Sequence, residues 1–568
     1  MILSLFLFIP ETEANPYAVG GHWWYADSAR STGAKWLRMW RGDGGAVWGD
    51  IQPVSLDSFV WDDQDRWIRW ADSCGFNIML TVRTNKCKWV DTTHIPELDS
   101  LNFAFGDVSY PPKNYQDWYN FVYAVASRYD GNTPDPLRPG KFLPEVRYYE
   151  TQAEPDWGYW YGTKEAYFDL FVPTFVRAVR DANPNAVIIG PSFTGYGIAL
   201  AAIQEMVDSG IDTSVIIDFY RTHLEYDPEG HDAWGNPKPV NWDTVQAKLN
   251  DYTNRWAIRF VQYSYKDSSL YDKRGFHDYE SWRTSPILID YEKRWMAHYG
   301  YSRPLWWTEL GHFDYRWWTS IPQPEAAART WKKIINGFSS GVEWMCYSVM
   351  LQPALILPLY ASVPWDPNQL YAQDSKFSFA FLASKINEET GFRFSGSDTI
   401  SHSYLFWFKS DTLTSFILLS AWADSGITDT IKVPVPPGTQ WITLYNYLGR
   451  PVGDLTFSDS VELVLTWQPV MVEFCQTTRA SEGLANKPFT ATSSPNPGTG
   501  GIGLTLILPA ESDVILRLYD PTGRLVLMND MGRLGPGEHR AFIPAKPGVY
   551  FLEAEAGGYR RVLKAVAK

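Results

Sequence analysis

Two apolar stretches of this chain finish in a carboxylate. Val146-Arg-Tyr-Tyr-Glu-Thr-Gln-Ala-Glu-Pro-Asp156 places Glu154 directly before Pro155, and Pro304-Leu-Trp-Trp-Thr-Glu-Leu-Gly311 places Glu309 near its end. A strand ending in a glutamate delivers that side chain to the rim of a sheet. Two such glutamates meeting across one gap suit the hydrolysis of a glycosidic bond: one protonates the departing oxygen while the other attacks the anomeric carbon or activates water. This chemistry needs neither metal nor cofactor. It does need unlike surroundings, with partial burial to keep the acid protonated and hydrogen-bond donors to keep its partner ionised. Trp157, Tyr159, Trp160, Tyr161, Trp306 and Trp307 flank the two glutamates and offer dry walls and flat faces. Of these, Trp157 and Trp307 are the candidate substrate contacts.

The rest of the composition narrows the partners. With 568 residues, 45% hydrophobic and 20% charged, the chain has room for three or four folded domains and lies outside the disordered classes. A net charge of −14 argues against nucleic acid, which is held by clustered positive charge. The 28 Trp, 33 Tyr and 30 Phe suit sugar recognition, and equally the filling of a large barrel. Cys74, Cys87, Cys346 and Cys475 lack metal-site spacing; Cys74 and Cys87 are either a pair formed in an oxidising compartment or free thiols. No D-x-D-x-D-G loop marks a calcium site. Met1 to Ile9 is an apolar run of signal-peptide length, so residues 1–16 read as a possible export-signal remnant. No segment reaches the ~18 uninterrupted apolar residues of a transmembrane helix.

The elements that must carry the glutamates follow from periodicity. Between residues 17 and 390, short β-branched or aromatic runs alternate with helical stretches. Candidate strands lie near Gly20 and at Lys35–Trp40, Asn77–Val82, Val146–Thr151, Ala186–Gly190, Ile216–Thr222, Leu305–Thr308 and Val342–Ser348. Helical patterns cover Asp63–Cys74, Tyr115–Tyr129, Thr163–Asn183 and Pro324–Ser339. Eight strand–helix units predict an α/β fold, a (β/α)8 TIM barrel with its working groups at the C-terminal strand ends. Residues 391–475 lose the helical period and predict a β-sandwich, followed by a linker over 476–497 and a second small β-sandwich over 498–568.

Residues 20–350 resemble the retaining glycoside hydrolases of clan A, barrels with catalytic glutamates on strands four and seven. The matching pieces occur in order: Trp36-Leu-Arg-Met39, Trp48-Gly-Asp-Ile-Gln-Pro53, Gln152-Ala-Glu-Pro-Asp156, Ala186-Val-Ile-Ile-Gly-Pro191, Asp218-Phe-Tyr-Arg-Thr-His223 with Tyr226 as strand six, and Leu305-Trp-Trp-Thr-Glu-Leu-Gly311. The resemblance implies Glu154 as acid/base, Glu309 as nucleophile, and Arg38, His223 and Tyr226 as supporting contacts. It departs at Ala153, where the clan usually carries an asparagine that binds the sugar 2-hydroxyl; Gln152 and Asn85 are the candidates to compensate. The implied activity is hydrolysis of β-glycosidic bonds in a polysaccharide or oligosaccharide by double displacement. The alternative is a barrel that binds carbohydrate with weak or no catalysis.

At the other end, Ser493-Ser-Pro-Asn-Pro497, Leu518-Tyr-Asp-Pro-Thr-Gly-Arg-Leu-Val526, Gly548-Val-Tyr-Phe-Leu552 and the basic terminus resemble the sorting domain of type IX secretion substrates. That likeness implies the type IX secretion machinery as partner and a secreted or cell-surface location.

Overall fold

The computed structural model describes residues 16–20, 32–40, 44–85, 87–93, 95, 98, 108–224, 240–267, 269–311, 323–347, 374–387, 390–410, 416–476, 490–494, 501–508, 511–520, 525–535, 537–546, 548–556 and 559–567. Short runs rich in β-branched and aromatic residues form the barrel strands β1 (Tyr17–Gly20), β2 (Trp36–Met39), β3 (Asn77–Arg83), β4 (Tyr148–Glu150), β5 (Val187–Ile189), β6 (Arg274–Asp278), β7 (Leu305–Leu310) and β8 (Val342–Tyr347). They pair in parallel in the order β5-β4-β3-β2-β1-β8-β7-β6. The fifth position is split, and the split closes the ring. β5 pairs with β4, the chain turns through Gly190-Pro191-Ser192, and the two-residue strand Phe193–Thr194 pairs with β6.

Alternation along the strands stacks side chains in layers inside the barrel. Trp36, Tyr148, Trp306 and Trp344 form an aromatic plug with Met79 and Ile189, and the rings of Trp306 and Trp344 stack with centroids 4.7 Å apart. Part of the unusual tryptophan content is therefore barrel filling. Two residues further on, Arg38, Thr81, Glu150 and Thr308 make the next layer, and these are polar. Strict alternation from Trp306 and Thr308 would then turn Glu309 outward. Register shifts against both neighbours of β7, between Phe276 and His277 on one side and Met345 and Tyr347 on the other, mark a bulge that turns Glu309 to the barrel mouth.

Among the described residues the longer helices are α1 (Asp62–Ser73), α2 (Tyr115–Arg128), α3 (Val172–Ala182), α4 (Gly195–Asp208), α5 (Thr213–His223), α6 (Trp242–Asn250), α7 (Tyr252–Tyr263), α8 (Ser285–His298), α9 (Gln323–Ser340) and α10 (Asp374–Lys385). One sequence expectation is overturned here. Ile216–Thr222, read as strand six, lies within α5, because the Asp212 carboxylate caps the Ser214 N–H and the buried Ile216 and Tyr220 stand four residues apart on one helical face. The sixth strand is β6, between the expected strands at Ile216–Thr222 and Leu305–Thr308 and in a stretch for which the sequence patterns above predict no element.

Trp307 faces away from the barrel interior, toward α9. A Cβ added at Gly337 of α9 would overlap the Trp307 ring and the Met345 side chain, so only glycine admits this close approach. Gly337→Ala is expected to destabilise the protein by about 1–3 kcal/mol through overpacking, read as a lowered midpoint in a urea melt; an unchanged midpoint would remove this account of the helix contact.

Beyond α10, eight antiparallel strands follow: β9 (Phe392–Ile400), β10 (Ser403–Ser410), β11 (Phe416–Ala423), β12 (Asp429–Pro434), β13 (Thr439–Tyr445), β14 (Pro451–Asp454), β15 (Ser460–Leu465) and β16 (Val470–Gln476). They form a six-stranded sheet, β9-β10-β11-β16-β13-β14, and the pair β12-β15. The central strands of the larger sheet are buried on both faces. Leu405, Leu419 and Val472 pack toward the β12-β15 pair, whereas Phe406, Phe408, Leu418, Trp422 and Met471 join the barrel's own core. Residues 1–475 form one compact unit.

Residues 476–568 form a second unit with its own apolar core, including Leu504, Leu516 and Leu552. Its strands are β17 (Thr490–Ser494), β18 (Gly501–Leu508), β19 (Ser512–Tyr519), β20 (Leu525–Leu534), β21 (Gly537–Pro544), β22 (Gly548–Ala556) and β23 (Tyr559–Ala567). They make a three-stranded sheet, β17-β18-β21, and a four-stranded one, β20-β19-β22-β23. β17 falls inside the stretch read as linker. No described helix is long and apolar enough to cross a membrane.

Candidate active site

The polar layer above the aromatic plug is organised by one guanidinium. Arg38, 2% exposed on β2, donates to Glu150 through Nε at 2.9 Å and Nη2 at 2.7 Å, and to Glu309 Oε1 through Nη1 at 2.5 Å. Glu150, also buried, accepts further from Thr81 Oγ1 at 3.0 Å and from the Ser192 hydroxyl. Glu150 thus holds the arginine and the arginine holds Glu309. Glu309 Oε2 accepts from the Tyr279 hydroxyl at 2.6 Å. Burial alone would raise the Glu309 carboxyl, but His277, Arg38 and the Tyr279 O–H together hold it below the ordinary range.

Glu154 follows β4 in a left-handed conformation, φ 49 and ψ 49. Its Oε1 lies 2.6 Å from His277 Nδ1, which is 3.5 Å from Glu309 Oε2. One buried imidazole therefore sits between the two sequence-predicted glutamates, whose side chains remain 15% and 14% exposed at the mouth. Burial works against a charged His277; the two carboxylates outweigh it and its pKa is raised.

His277 and Tyr279 come from β6 and its end, not from the stretch expected to supply them. Residues two apart on a strand share a face, so His277 and Tyr279 both reach inward while Asp278 turns out to the buried Lys333 of α9, whose Nζ lies 3.0 Å from its Oδ1. His223 instead ends α5, with Nδ1 3.2 Å from Thr284 Oγ1, and burial depresses its pKa to about 4. Tyr226 lies outside the described residues. The spacing of His223 and Tyr226, three apart, would have put them on opposite strand faces. The His-Asp-Tyr run at 277–279 carried the usable signal, hidden by the charged and glycine residues of Arg274-Gly275.

Trp307 is fully buried between β7 and α9 and offers no face to a ligand, which corrects its assignment as a substrate contact. Trp157 is 42% exposed beside Glu154, edge-on to Tyr196 with centroids 5.3 Å apart. Sequence reasoning named Tyr159 only as a wall; its phenol is raised by burial and by Glu154 and Glu309, and its ring meets Trp40 at 6.3 Å. Trp40 in turn lies under the Arg83 guanidinium. Gln152 does not stand in for the asparagine absent at Ala153: its Oε1 accepts from Ser109 Oγ at 2.6 Å and its Nε2 donates to the Ala153 carbonyl at 2.6 Å. Asn85 is turned to Arg83, accepting at Oδ1 from Nε and Nη2, both at 3.2 Å.

Glu154, His277 and Glu309 bring ligand-type atoms within 4.8 Å of one another. The donor set suits proton handling better than a metal ion, since both Glu309 oxygens already accept from Arg38 and Tyr279 and a cation there would face a guanidinium. All four cysteines are free thiols.

No family model matches this sequence, and no curated protein does. Solved structures do resemble it. It is similar to a family 39 glycoside hydrolase from the gut symbiont Bacteroides cellulosilyticus WH2, with TM-score 0.50 and 14% identity over 82% of each chain. It is also similar to a monomeric beta-xylosidase from Caulobacter crescentus CB15, with TM-score 0.48 and 13% identity over 83% of this chain and 97% of that one. A glucosidase from Croceicoccus marinus gives TM-score 0.47 and 11% identity over 83% and 97%. At such identities the first of these likenesses is one of fold, a (β/α)8 barrel with a β-rich C-terminal region.

Proposed function

We propose that this chain is a retaining glycoside hydrolase acting on β-linked polysaccharides or oligosaccharides, with Glu309 as nucleophile and Glu154 as acid and then base. The observation that carries this reading is the meeting of the two carboxylates at one mouth, with atoms of each within 4.8 Å. Retaining pairs stand about 5–5.5 Å apart and inverting pairs about 6.5–9.5 Å, so the gap favours retention. In the first step the Glu154 proton passes to the glycosidic oxygen, the bond from that oxygen to the anomeric carbon breaks, and a Glu309 oxygen bonds the carbon. In the second, Glu154 takes a proton from water, whose oxygen bonds the carbon as Glu309 leaves. Arg38 and Tyr279 keep Glu309 ionised before attack and stabilise it on departure.

The first-formed sugar from a β-glycoside should be the β-anomer by proton NMR, and a 2-deoxy-2-fluoro-β-glycoside should label the peptide containing Glu309. The α-anomer appearing first would overturn the mechanism. Tight glycan binding with no product from the wild-type protein would select the binding-only barrel, a reading that Ala153 favours. We further infer export: the two-sheet unit over 476–568, with its Ser-Pro-Asn-Pro opening, is proposed as a type IX sorting domain. Its removal should retain the protein inside a host that has this secretion system; continued export would refute the assignment.

A further inference from the structure

Glu154 holds a backbone conformation that a side chain with a Cβ adopts at a cost, and such strain persists only where the surroundings over-determine it. Two contacts fix it, one on each side. The Glu154 N–H donates to the Ser192 carbonyl at 2.7 Å. Two residues later, the Asp156 carboxylate accepts from Thr194, from its N–H at 3.3 and 3.2 Å and from its hydroxyl at 2.6 Å. Thr194 is itself anchored, because its Oγ1 accepts from the Gly197 N–H at 2.9 Å and caps α4. A Cβ at Gly197 would collide with Asp156 Oδ2, so the chain keeps that space for the carboxylate.

Asp156 is fully buried and makes no ion pair among the described residues. Burial first, and then Glu154, push its pKa up to about 7. A buried carboxylate without a cation is an expensive way to make a turn, and both its oxygens are used, since the Thr194 N–H lies 3.3 and 3.2 Å from them and a neutral amide would replace only one. That expense at this position points to the neighbouring residue.

We propose that Asp156 is a positioning residue for Glu154: by tying the turn Pro155–Trp157 to Thr194 it aims the Glu154 carboxyl at the leaving-group oxygen. The inference rests on the reading of Glu154 as acid/base. It predicts a selective defect. Substrates whose leaving group needs protonation should suffer when the acid is misplaced, and strongly activated aryl glycosides, which depart without it, should not.

The test compares wild type with Asp156→Ala and Asp156→Asn on aryl β-glycosides of graded leaving-group acidity, with Glu154→Ala as reference. For Asp156→Ala, kcat/KM on the poorest leaving groups should fall about 10²-fold, the scale of a misplacement near 1 Å, while the dinitrophenyl glycoside changes less than about threefold. Asp156→Asn, which keeps one acceptor oxygen for Thr194, should recover part of the loss. Equal losses across the series, or none, would overturn the proposal, because a merely structural role depresses every substrate alike. Should Asp156→Ala not fold, Asp156→Asn is read by the same slope, where no steepening counts against the proposal. A steep slope in Glu154→Ala with a flat one in both Asp156 variants refutes this inference alone; a flat slope in Glu154→Ala refutes the acid/base assignment beneath it.

Discussion

Glu309→Gln should lower kcat on an aryl β-glycoside by a factor on the order of 10⁵, the scale seen when a covalent nucleophile is removed, while the protein stays folded. The amide lacks the charge needed to bond the anomeric carbon, yet its one carbonyl oxygen can still accept from Arg38 while its NH2 donates to the Tyr279 hydroxyl, whose own proton turns away, so the polar layer keeps its shape. Glu309→Ala goes further and vacates the face of the sugar on which the nucleophile stood. Added azide should enter there, bond the anomeric carbon and release an α-glycosyl azide from an activated β-substrate. Turnover within tenfold of wild type in either variant would end the assignment of Glu309.

Arg38→Met should be the most destabilising single change in the polar layer. It leaves Glu150 and Glu309 in the interior without their shared cation, and breaking a buried pair on one side costs about 3–5 kcal/mol against a typical total of about 5–15. The pH dependence carries the sign of this account. In the wild type the Glu309 pKa is held below its unfolded value, so its stabilising contribution is full above the unfolded carboxylate range and fades as pH falls through the lowered folded pKa. Without Arg38 one of the groups that lower the carboxyl is gone while burial still raises it, so its pKa moves up. The deficit of the variant against wild type should therefore be largest near pH 8 and smaller near pH 4. Urea melts at both values decide it, and an equal deficit at each would assign the loss to packing. Arg38→Lys should not rescue the site, since one ammonium cannot reach both carboxylates in the forked geometry that Arg38 uses.

How much of this was legible in the sequence depends on the kind of signal. Glu154 and Glu309 stood out because each ends an apolar run, a local pattern that survives without knowledge of tertiary contacts. The barrel was legible for the same reason, through alternation of strand and helix. The partners of the glutamates were not. β6 reads Arg-Gly-Phe-His-Asp, too polar to look like a core strand, because its inward groups serve the mouth and its outward Asp278 meets a buried lysine. α5 resembled a strand by composition, since Val215, Ile216 and Ile217 are β-branched, and only its capping and its four-residue spacing of buried positions say helix. The facing of Glu309 was illegible in principle: simple parity along β7 turns it outward, and the bulge that reverses this is visible only against the neighbouring strands.

The loop between β6 and α8 leaves Tyr279 and reaches the β-sandwich within a few residues. Trp282 sets its ring edge-on to Tyr404 and Trp422, with centroids 5.4 and 5.5 Å apart, and Arg283 pairs with Asp424 at 2.7 Å. The residue that grips Glu309 is thus moored, three and four positions downstream, to a sheet none of whose described side chains belongs to the cluster of Glu154, His277 and Glu309. Barrel and sandwich are consequently poor units for recombination. A gene fusion joined near residue 390 would transplant the glutamates intact and leave the tyrosine's tether behind, so lineages of this architecture should inherit the two parts together.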